Sequence, residues 1–126
     1  MLLYNSKMSE FEQTIYKNEI MFGELISERG MSVGTITAIS LTEELVNVGR
    51  LFVHPDHRNK KIAKGLHEEM LNWAKETGHK RIELGVAAEK GEDEYKILTV
   101  LEHFGYICMN PEDKGQNTVL CYYLEL

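Results

Sequence analysis

The sequence predicts a mixed α/β (α+β) fold, in which a mostly antiparallel sheet contains a central parallel pair of strands and carries helices on both faces. Segments that alternate apolar and polar residues between turn residues predict strands in both halves of the chain. Two segments with apolar residues at three- and four-residue spacing predict amphipathic helices in the second half. Because the first of these helices connects two predicted strands, those two strands should be parallel.

The length and composition are those of an ordinary globular domain. A chain of 126 residues is the size of one domain, so residues 1–126 are treated as a single unit. No apolar run approaches the roughly 18 residues needed to cross a bilayer, and the first residues do not resemble a signal peptide. We therefore expect a cytoplasmic protein that does not enter a membrane.

The charge and the cysteines exclude several classes of partner. A formal net charge of −6 disfavours nucleic acid and anionic membranes, since both reward a positive surface. Only one local patch is basic, which suits a small polyanion. Cys108 and Cys121 fall in the last two predicted strands and form no metal-ligand or Cys-x-x-Cys pattern, so we expect buried thiols and no metal.

The N-terminal stretch Met8–Lys17 has apolar residues compatible with a short helix. Phe11 and Ile15 are spaced four apart, and Ser9 followed by Glu12 resembles a capping box. We therefore predict a helix before the sheet begins.

Three strands are predicted next. Glu19–Glu28 and Met31–Ser40 read as a hairpin joined at Arg29-Gly30. A third strand, Leu45–Val53, contains Gly49, which indicates a bulge or a close backbone approach.

The second half alternates helices and strands. Apolar residues recur at helical spacing from Lys61 to Lys75, and His79–Val86 alternates as a strand should. A second helix begins at the acidic residues 92–94, where acids suit the helix dipole, and ends at Gly105. The last two predicted strands are Tyr106–Met109 and Thr118–Leu124.

A basic turn lies between the third strand and the first of these helices. It contains four cations and no acid between Asp56 and Glu68. The cations are Arg58, Lys60, Lys61 and Lys64. They stand where unpaired N–H groups and the positive end of the helix dipole already favour an anion, so we predict a phosphate site. A merely solvated basic surface is the alternative.

The run Arg58-Asn59-Lys60-Lys61-Ile62-Ala63 resembles the acyl-CoA pyrophosphate motif of the GNAT superfamily of N-acetyltransferases, and the preceding Leu-Phe-Val-His-Pro matches as well. One position departs from the pattern, because Lys61 stands where the family usually has its first glycine. We expect helical backbone angles at this residue, for which glycine is not needed. The Cβ of Lys61 leaves less room for the backbone to approach the pyrophosphate. The ammonium group of Lys61 would compensate by attracting the negative charge of the pyrophosphate.

The resemblance implies a GNAT-like sheet whose central parallel pair is splayed at a bulge. It further implies that acetyl-CoA is the co-substrate and that an amine accepts the acetyl group. The pantetheine arm would bind the bulged strand at Leu51, Phe52 and Val53. The diphosphate would bind at Arg58, Asn59, Lys60, Lys61, Ile62, Ala63 and Lys64.

The usual general acid of the family is missing from its expected position. Members commonly place a tyrosine four residues before the Gly-aromatic pair that closes the second helix. Gly105-Tyr106 resembles that pair, but the fourth residue before it is Leu101. Glu94 matches the family's frequent asparagine, and Tyr95 is the one candidate for the acid, although packing is the commoner role for such an aromatic.

No side chain is identified as the general base. The strand on which family members often carry a glutamate holds Asn47, Gly49 and Arg50 at the relevant positions. Glu24 and Glu28, on an earlier strand, remain open as candidates.

None of the five histidines is assigned a catalytic or metal-binding role. His54 and His57 are read as turn residues, although an imidazole ring is in principle eligible for proton transfer. His67 and His103 are predicted to lie on helix surfaces, and together with His79 they form no metal-ligand spacing.

The part of the chain before the first predicted strand is short for this family, at about 18 residues. The acceptor site would then be shallow, open or completed by a second subunit in a homodimer. Three functions remain open: an N-acetyltransferase acting by direct attack, a catalytically impaired GNAT-fold binding or regulatory protein, and a structural α/β module that binds other anions.

Overall fold

The computed structural model describes residues 2–8, 11–58, 61–87, 92–114 and 119–126, with side chains for 11–58, 61–86, 98–114 and 119–126. Its strands are β1 Leu2–Met8, β2 Phe11–Lys17, β3 Met21–Glu28, β4 Met31–Ser40, β5 Leu45–Val53, β6 Arg81–Ala87, β7 Ile107–Cys108 and β8 Val119–Glu125. Its helices are α1 Ile62–Glu76 and α2 Glu92–His103, with short 3₁₀ turns at Pro55–His57 and Pro111–Asp113. Neither α1 nor α2 is long and apolar enough to cross a membrane.

The described strands form one eight-stranded sheet in the order β1-β2-β3-β4-β5-β6-β8-β7. Every neighbouring pair in it is antiparallel except β5 and β6, which are parallel and are connected through α1. The prediction of a mixed, mostly antiparallel sheet with a central parallel pair is therefore confirmed.

The predicted N-terminal helix is wrong, because residues 11–17 form strand β2 and pair with β3. Phe11 and Ile15 are four residues apart, and that spacing places two side chains on one face of a strand as well as of a helix. Gln13, between them, is also buried, which is the period of two that a strand shows. The predicted cap residue Ser9 lies outside the described residues.

The buried side chains of five strands lie on one face of the sheet. They are Phe22 and Ile26 on β3, Ile36 and Ala38 on β4, Val46 and Val48 on β5, Ile82 and Leu84 on β6, and Leu120 and Tyr122 on β8. Helix α1 covers this core face with Leu66, Met70, Trp73 and Ala74. Burying this apolar surface is the main stabilising contribution to the fold.

The two described helices share the core face, which corrects the expectation of helices on both faces. The end of α2 meets α1 where Phe104 and Tyr106 contact His67, and Leu101 belongs to the same buried cluster. On the opposite face, Leu25 and Ile39 are 39% and 44% exposed. Because the stretch predicted as a third helix is strand β2, no described helix is left for this open face.

Strand β5 has a bulge in its pairing with β4, and beyond this bulge it no longer pairs with β6. Val48 pairs with Ala38 and Arg50 with Thr37, so Gly49 is the extra residue on β5. Pairing of β5 with β6 ends at Val48 and Leu84, although both strands continue. The predicted bulge at Gly49 and the splaying of the parallel pair are therefore confirmed, and a gap opens between the strands beyond Val48.

Candidate functional site

The backbone of β5 beyond the bulge faces the gap at alternate residues. His54 donates its backbone N–H to the carbonyl of Val33, at 2.7 Å, just past the end of β5. In an antiparallel pair, residues whose backbone groups face the partner alternate with residues whose groups face away. Counting back in the observed register, Phe52 faces β4, whereas Leu51 and Val53 direct their N–H and C=O groups into the gap.

Arg58 is anchored at the same gap. Its side chain is half-buried, and its Nε donates a hydrogen bond of 3.1 Å to the carbonyl oxygen of Val53. That bond holds the guanidinium at the junction between β5 and the turn that leads to α1. The groups of β5 left to face the gap are then the N–H of Val53 and both backbone groups of Leu51.

The first turn of α1 offers a set of N–H donors. Gly65 donates its N–H to the carbonyl of Lys61 at 3.1 Å, which is the first bond of the helix. The N–H groups of Ile62, Ala63 and Lys64 come before that bond and have no intrahelical partner. The first turn of α1 contains no acid, and its N-cap residue Lys61 makes no side-chain cap bond, so no described residue of this turn offsets the positive potential of the helix start.

Lys61 adopts a left-handed backbone conformation, with φ 61° and ψ 19°. The expectation of helical angles at this residue is therefore wrong. The position is one that glycine occupies without strain, whereas a residue with a Cβ pays about 1–2 kcal/mol for it. The Lys61 side chain itself is exposed, and Asn59 and Lys60 lie outside the described residues.

The turn between β5 and α1 is fixed by its own side chains. His54 Nδ1 accepts a hydrogen bond of 3.2 Å from the N–H of Asp56. His57 lies 3.7 Å from the Glu28 carboxylate through Nε2, and its ring packs edge-on against Phe11. These contacts tie the turn to β2 and β3, as expected for turn residues.

The position expected for a general acid provides none. Leu101 is completely buried, and the neighbouring Tyr106 donates to or accepts from His67 Nε2 at 2.7 Å inside the core. Burial raises the pKa of Tyr106, which makes it a poorer acid. Glu94 and Tyr95 belong to α2, but their side chains are outside the described set, so the assignment of Tyr95 stays a prediction.

His67 lies in the core rather than on the helix surface where it was predicted. It is 0% exposed, and burial lowers its pKa to about 4. The sequence contained the signal, because Ala63, His67, Met70 and Ala74 follow the apolar stripe of α1. A histidine on that stripe is buried because of its position on the helix, so its polar ring alone does not predict exposure.

Glu24 is also buried, although it does not reach the gap. Its pKa is raised to about 7 in total: burial raises it most, the hydrogen bond from Gln13 lowers it, and the negative charge of Glu69 raises it by a smaller amount. Glu24 is on β3, and β4 separates it from Leu51 on β5. The other acid considered, Glu28, faces His57 instead.

Arg50 stands on the open face immediately after the bulge. It is exposed, and its guanidinium carbon lies 5.5 Å from the centre of the Phe52 ring, a cation–π contact. Members of the family suggested by the motif often carry a glutamate on this strand, and here the strand carries a cation.

Comparison with known proteins agrees with this geometry. The model of the Acetyltransferase (GNAT) family matches residues 4–98, more than half of the chain. No curated protein matches the sequence.

Solved structures share the fold at low sequence identity. An acetyltransferase from Streptococcus agalactiae is 18% identical with a TM-score of 0.71, covering 88% of this chain and 70% of that one. A GNAT-family acetyltransferase from Staphylococcus aureus is 23% identical with a TM-score of 0.69, covering 84% and 68%. A GNAT-family acetyltransferase from Elizabethkingia anophelis, solved with acetyl-CoA bound, is 13% identical with a TM-score of 0.63, covering 84% and 76%.

Proposed function

Because the chain belongs to the GNAT family of acetyltransferases, we propose that it transfers the acetyl group of acetyl-CoA to an amine by direct attack. The observation that carries the proposal is the gap between β5 and β6 beyond Gly49, where backbone groups of Leu51 and Val53 are turned away from β4. Such groups fit the amides of a pantetheine arm, which needs donors and acceptors along its length.

The diphosphate of the co-substrate fits the start of α1. The N–H groups of Ile62, Ala63 and Lys64, which have no partner within α1, supply donors, and the cations Arg58, Lys61 and Lys64 supply charge. The absence of an acid in the first turn removes the repulsion that would oppose a polyanion. Asn59 and Lys60 are included in the proposed diphosphate site because they belong to the sequence motif.

Of the three strand residues expected to bind the co-substrate, Leu51 and Val53 would do so through their backbone. Phe52 would contribute differently, because its backbone faces β4 and its side chain lies on the open face beside Arg50. We therefore assign Phe52 to the acceptor side of the gap.

The chemistry requires few side chains. The lone pair of a neutral amine attacks the thioester carbon, the C–N bond forms, and the C–S bond breaks with release of the thiolate. The amine gives its proton to water, and the thiolate takes one from water or from Tyr95. Because Leu101 replaces the usual acid, we expect a modest rate that depends on the pKa of the acceptor amine.

Calorimetric titration with acetyl-CoA tests the binding half of the proposal. We expect binding that Arg58→Ala and Lys64→Ala each weaken at least fivefold, since each removes a charged contact to phosphate. Lys75→Ala, at the opposite end of α1, is the matched control and should bind like the parent protein. No heat at millimolar acetyl-CoA would overturn the proposal.

Release of the CoA thiol in the presence of a panel of amines tests the catalytic half. We expect product formation above the rate of thioester hydrolysis, with acetylated amine identified by mass spectrometry. The second candidate, a GNAT-fold protein that binds CoA or a protein partner without turnover, is favoured by Leu101 at the acid position. It predicts binding in the titration together with no product from any amine.

We further propose that the protein acts in the cytoplasm and that its acceptor site is open or is completed by a homodimer partner. The uncovered sheet face next to the gap supports an open site. The net charge of −6 argues against nucleic acid or an anionic membrane as the acceptor.

A further inference from the structure

The open face beside the gap carries one charged side chain on β5, Arg50. It follows the bulge residue Gly49 directly, and the next residue along, Leu51, already turns its backbone into the gap. The core face here is covered by α1, whose start lies against Gly34 on the strand beside β5. An acceptor therefore has to approach the thioester from the open face, past Arg50.

The described residues that pair with Arg50 on this face, and the residues next to them, carry no charge. Across the sheet it faces Thr37 on β4 and then Gly23 on β3, and the next positions along those strands are Thr35 and Leu25. Its own strand supplies Phe52, whose ring holds the guanidinium at 5.5 Å. Among the described residues, Arg50 has no ion pair.

The carboxylates on the adjoining part of the sheet are already engaged. Glu83 on β6 accepts a hydrogen bond of 3.2 Å from Arg81 Nε, and Glu125 on β8 accepts one of 2.9 Å from Arg81 Nη1. Arg81 thus pairs with one acid of β6 and one of β8, and neither of these carboxylates forms an ion pair with Arg50. Among the described residues, Arg50 therefore keeps its positive charge unpaired.

We propose that the acceptor is an amine that also carries an anionic group, a carboxylate or a phosphate, and that Arg50 binds this anion on the open face. The proposal rests on the proposed acetyltransferase function and names its substrate class. The guanidinium, held by Phe52, would form a forked pair with the anion, and Thr37 would add a hydroxyl. Arg50 is then a specificity-determining residue.

The same cation helps to explain how the reaction proceeds without a base in place. A positive charge near an ammonium disfavours its protonated form and lowers its pKa. An acceptor bound by its anion beside Arg50 therefore presents more of the neutral amine that attacks the thioester. A purely cationic amine, such as a polyamine, is repelled from the same position.

Matched pairs of amines test the proposal. Each pair would join an anionic amine with its uncharged counterpart: β-alanine with β-alaninamide, glycine with glycinamide, and phosphoethanolamine with ethanolamine. We expect the anionic member of at least one pair to have a kcat/KM more than tenfold higher. Arg50→Gln should reduce that preference to below twofold, acting chiefly on KM, while Arg50→Lys should keep part of it.

Controls separate this result from a loss of structure. Lys75→Gln, an exposed cation at the far end of α1, should leave the preference intact. Acetyl-CoA affinity, measured by calorimetry, should be unchanged within twofold in Arg50→Gln.

Three results would overturn the inference. If both members of every pair are acetylated equally, or if Arg50→Gln leaves the preference intact, Arg50 is an ordinary solvated surface residue although the acetyltransferase function stands. If no amine is acetylated while acetyl-CoA binds, the proposed function fails and the inference fails with it.

Discussion

Gln13 on β2 donates a hydrogen bond of 2.5 Å to Oε2 of Glu24 on β3, and both side chains are buried on the core face. The second carboxylate oxygen of Glu24, Oε1, has no partner within the described structure. A buried carboxylate with one unsatisfied oxygen is costly to ionise. This pair therefore couples stability to pH.

Glu24→Gln tests that coupling. The pKa of Glu24 rises from the usual 4.5 to about 7 in the folded protein. Between these two pH values the carboxyl group is ionised in the unfolded chain but still protonated in the folded protein. The free energy of unfolding therefore falls as the pH rises from 4.5 to 7. The penalty is complete above pH 7 and is at most on the order of 3 kcal/mol. We expect Glu24→Gln to unfold at higher denaturant concentration at pH 8 and to match the parent protein at pH 4.

The exposed Glu12 on β2 provides the control, since Glu12→Gln should not change the stability profile in this way. Equal stability of Glu24→Gln and the parent protein at pH 8 would show that Glu24 ionises without cost.

His67 contributes to stability with the opposite sign. Burial lowers its pKa from 6.5 to about 4, so the unfolded chain takes up a proton first as pH falls, and stability is lost between those values. We expect His67→Gln, which keeps a partner for the Tyr106 hydroxyl, to reduce the loss of stability between pH 6.5 and 4. Urea titrations at several pH values would measure it.

A double substitution separates the hydrogen bond from the titration. His67→Phe leaves the buried Tyr106 hydroxyl without its 2.7 Å partner, which should cost about 1–3 kcal/mol at pH 7. Adding Tyr106→Phe removes the unpaired hydroxyl and should recover part of that loss. No recovery in the double variant would mean that packing against Phe104, and not the hydrogen bond, sets the cost.

Substitution of Lys61 tests the strain at the helix start. Because φ is 61°, we expect Lys61→Gly to be about 1 kcal/mol more stable than Lys61→Ala, the matched variant that also lacks the charge but keeps a Cβ. Thermal unfolding would give the difference, and calorimetry with acetyl-CoA would show whether the smaller residue binds more tightly. If the alanine variant is the more stable, residue 61 does not adopt the left-handed conformation.

The sequence predicted the parts of the fold that have local signals. Gly49 marked the bulge, the helical stripe of α1 was visible, and the order of strand and helix required the parallel pair. The start of the chain was misassigned because Phe11 and Ile15 fit a helix and a strand equally well, and only pairing with β3 decides between them.

The candidate site was predictable in its backbone but not in its side chains. The motif predicts a diphosphate site at Arg58 to Lys64, which stays a prediction, whereas the left-handed angle of Lys61 depends on how the turn meets the helix. The charge neighbourhood of Arg50 and the burial of Glu24 are set by residues distant in sequence, brought together only by the sheet register. The spacing of residues along the sequence does not predict which residues become neighbours across the sheet.

Gly34 shows how closely α1 must approach the sheet for the site to form. It is buried on β4, opposite Val53, and an added Cβ would lie 3.1 Å from Ile62 Cγ2, 3.2 Å from the Phe52 carbonyl and 3.3 Å from Leu66 Cδ1. We expect Gly34→Ala to cost about 1–3 kcal/mol. It should also weaken acetyl-CoA binding several-fold, because relief of the contact moves the first turn of α1 away from the gap.

Gly23 offers the matched control on the neighbouring strand. An added Cβ there would meet nothing closer than the Tyr16 carbonyl at 3.9 Å, so Gly23→Ala should change acetyl-CoA affinity by less than twofold. Chemical denaturation and calorimetry on both variants give the two numbers independently. If Gly34→Ala is destabilised but binds acetyl-CoA like the parent protein, the position of the first turn does not control binding, and the diphosphate must be held by side chains alone.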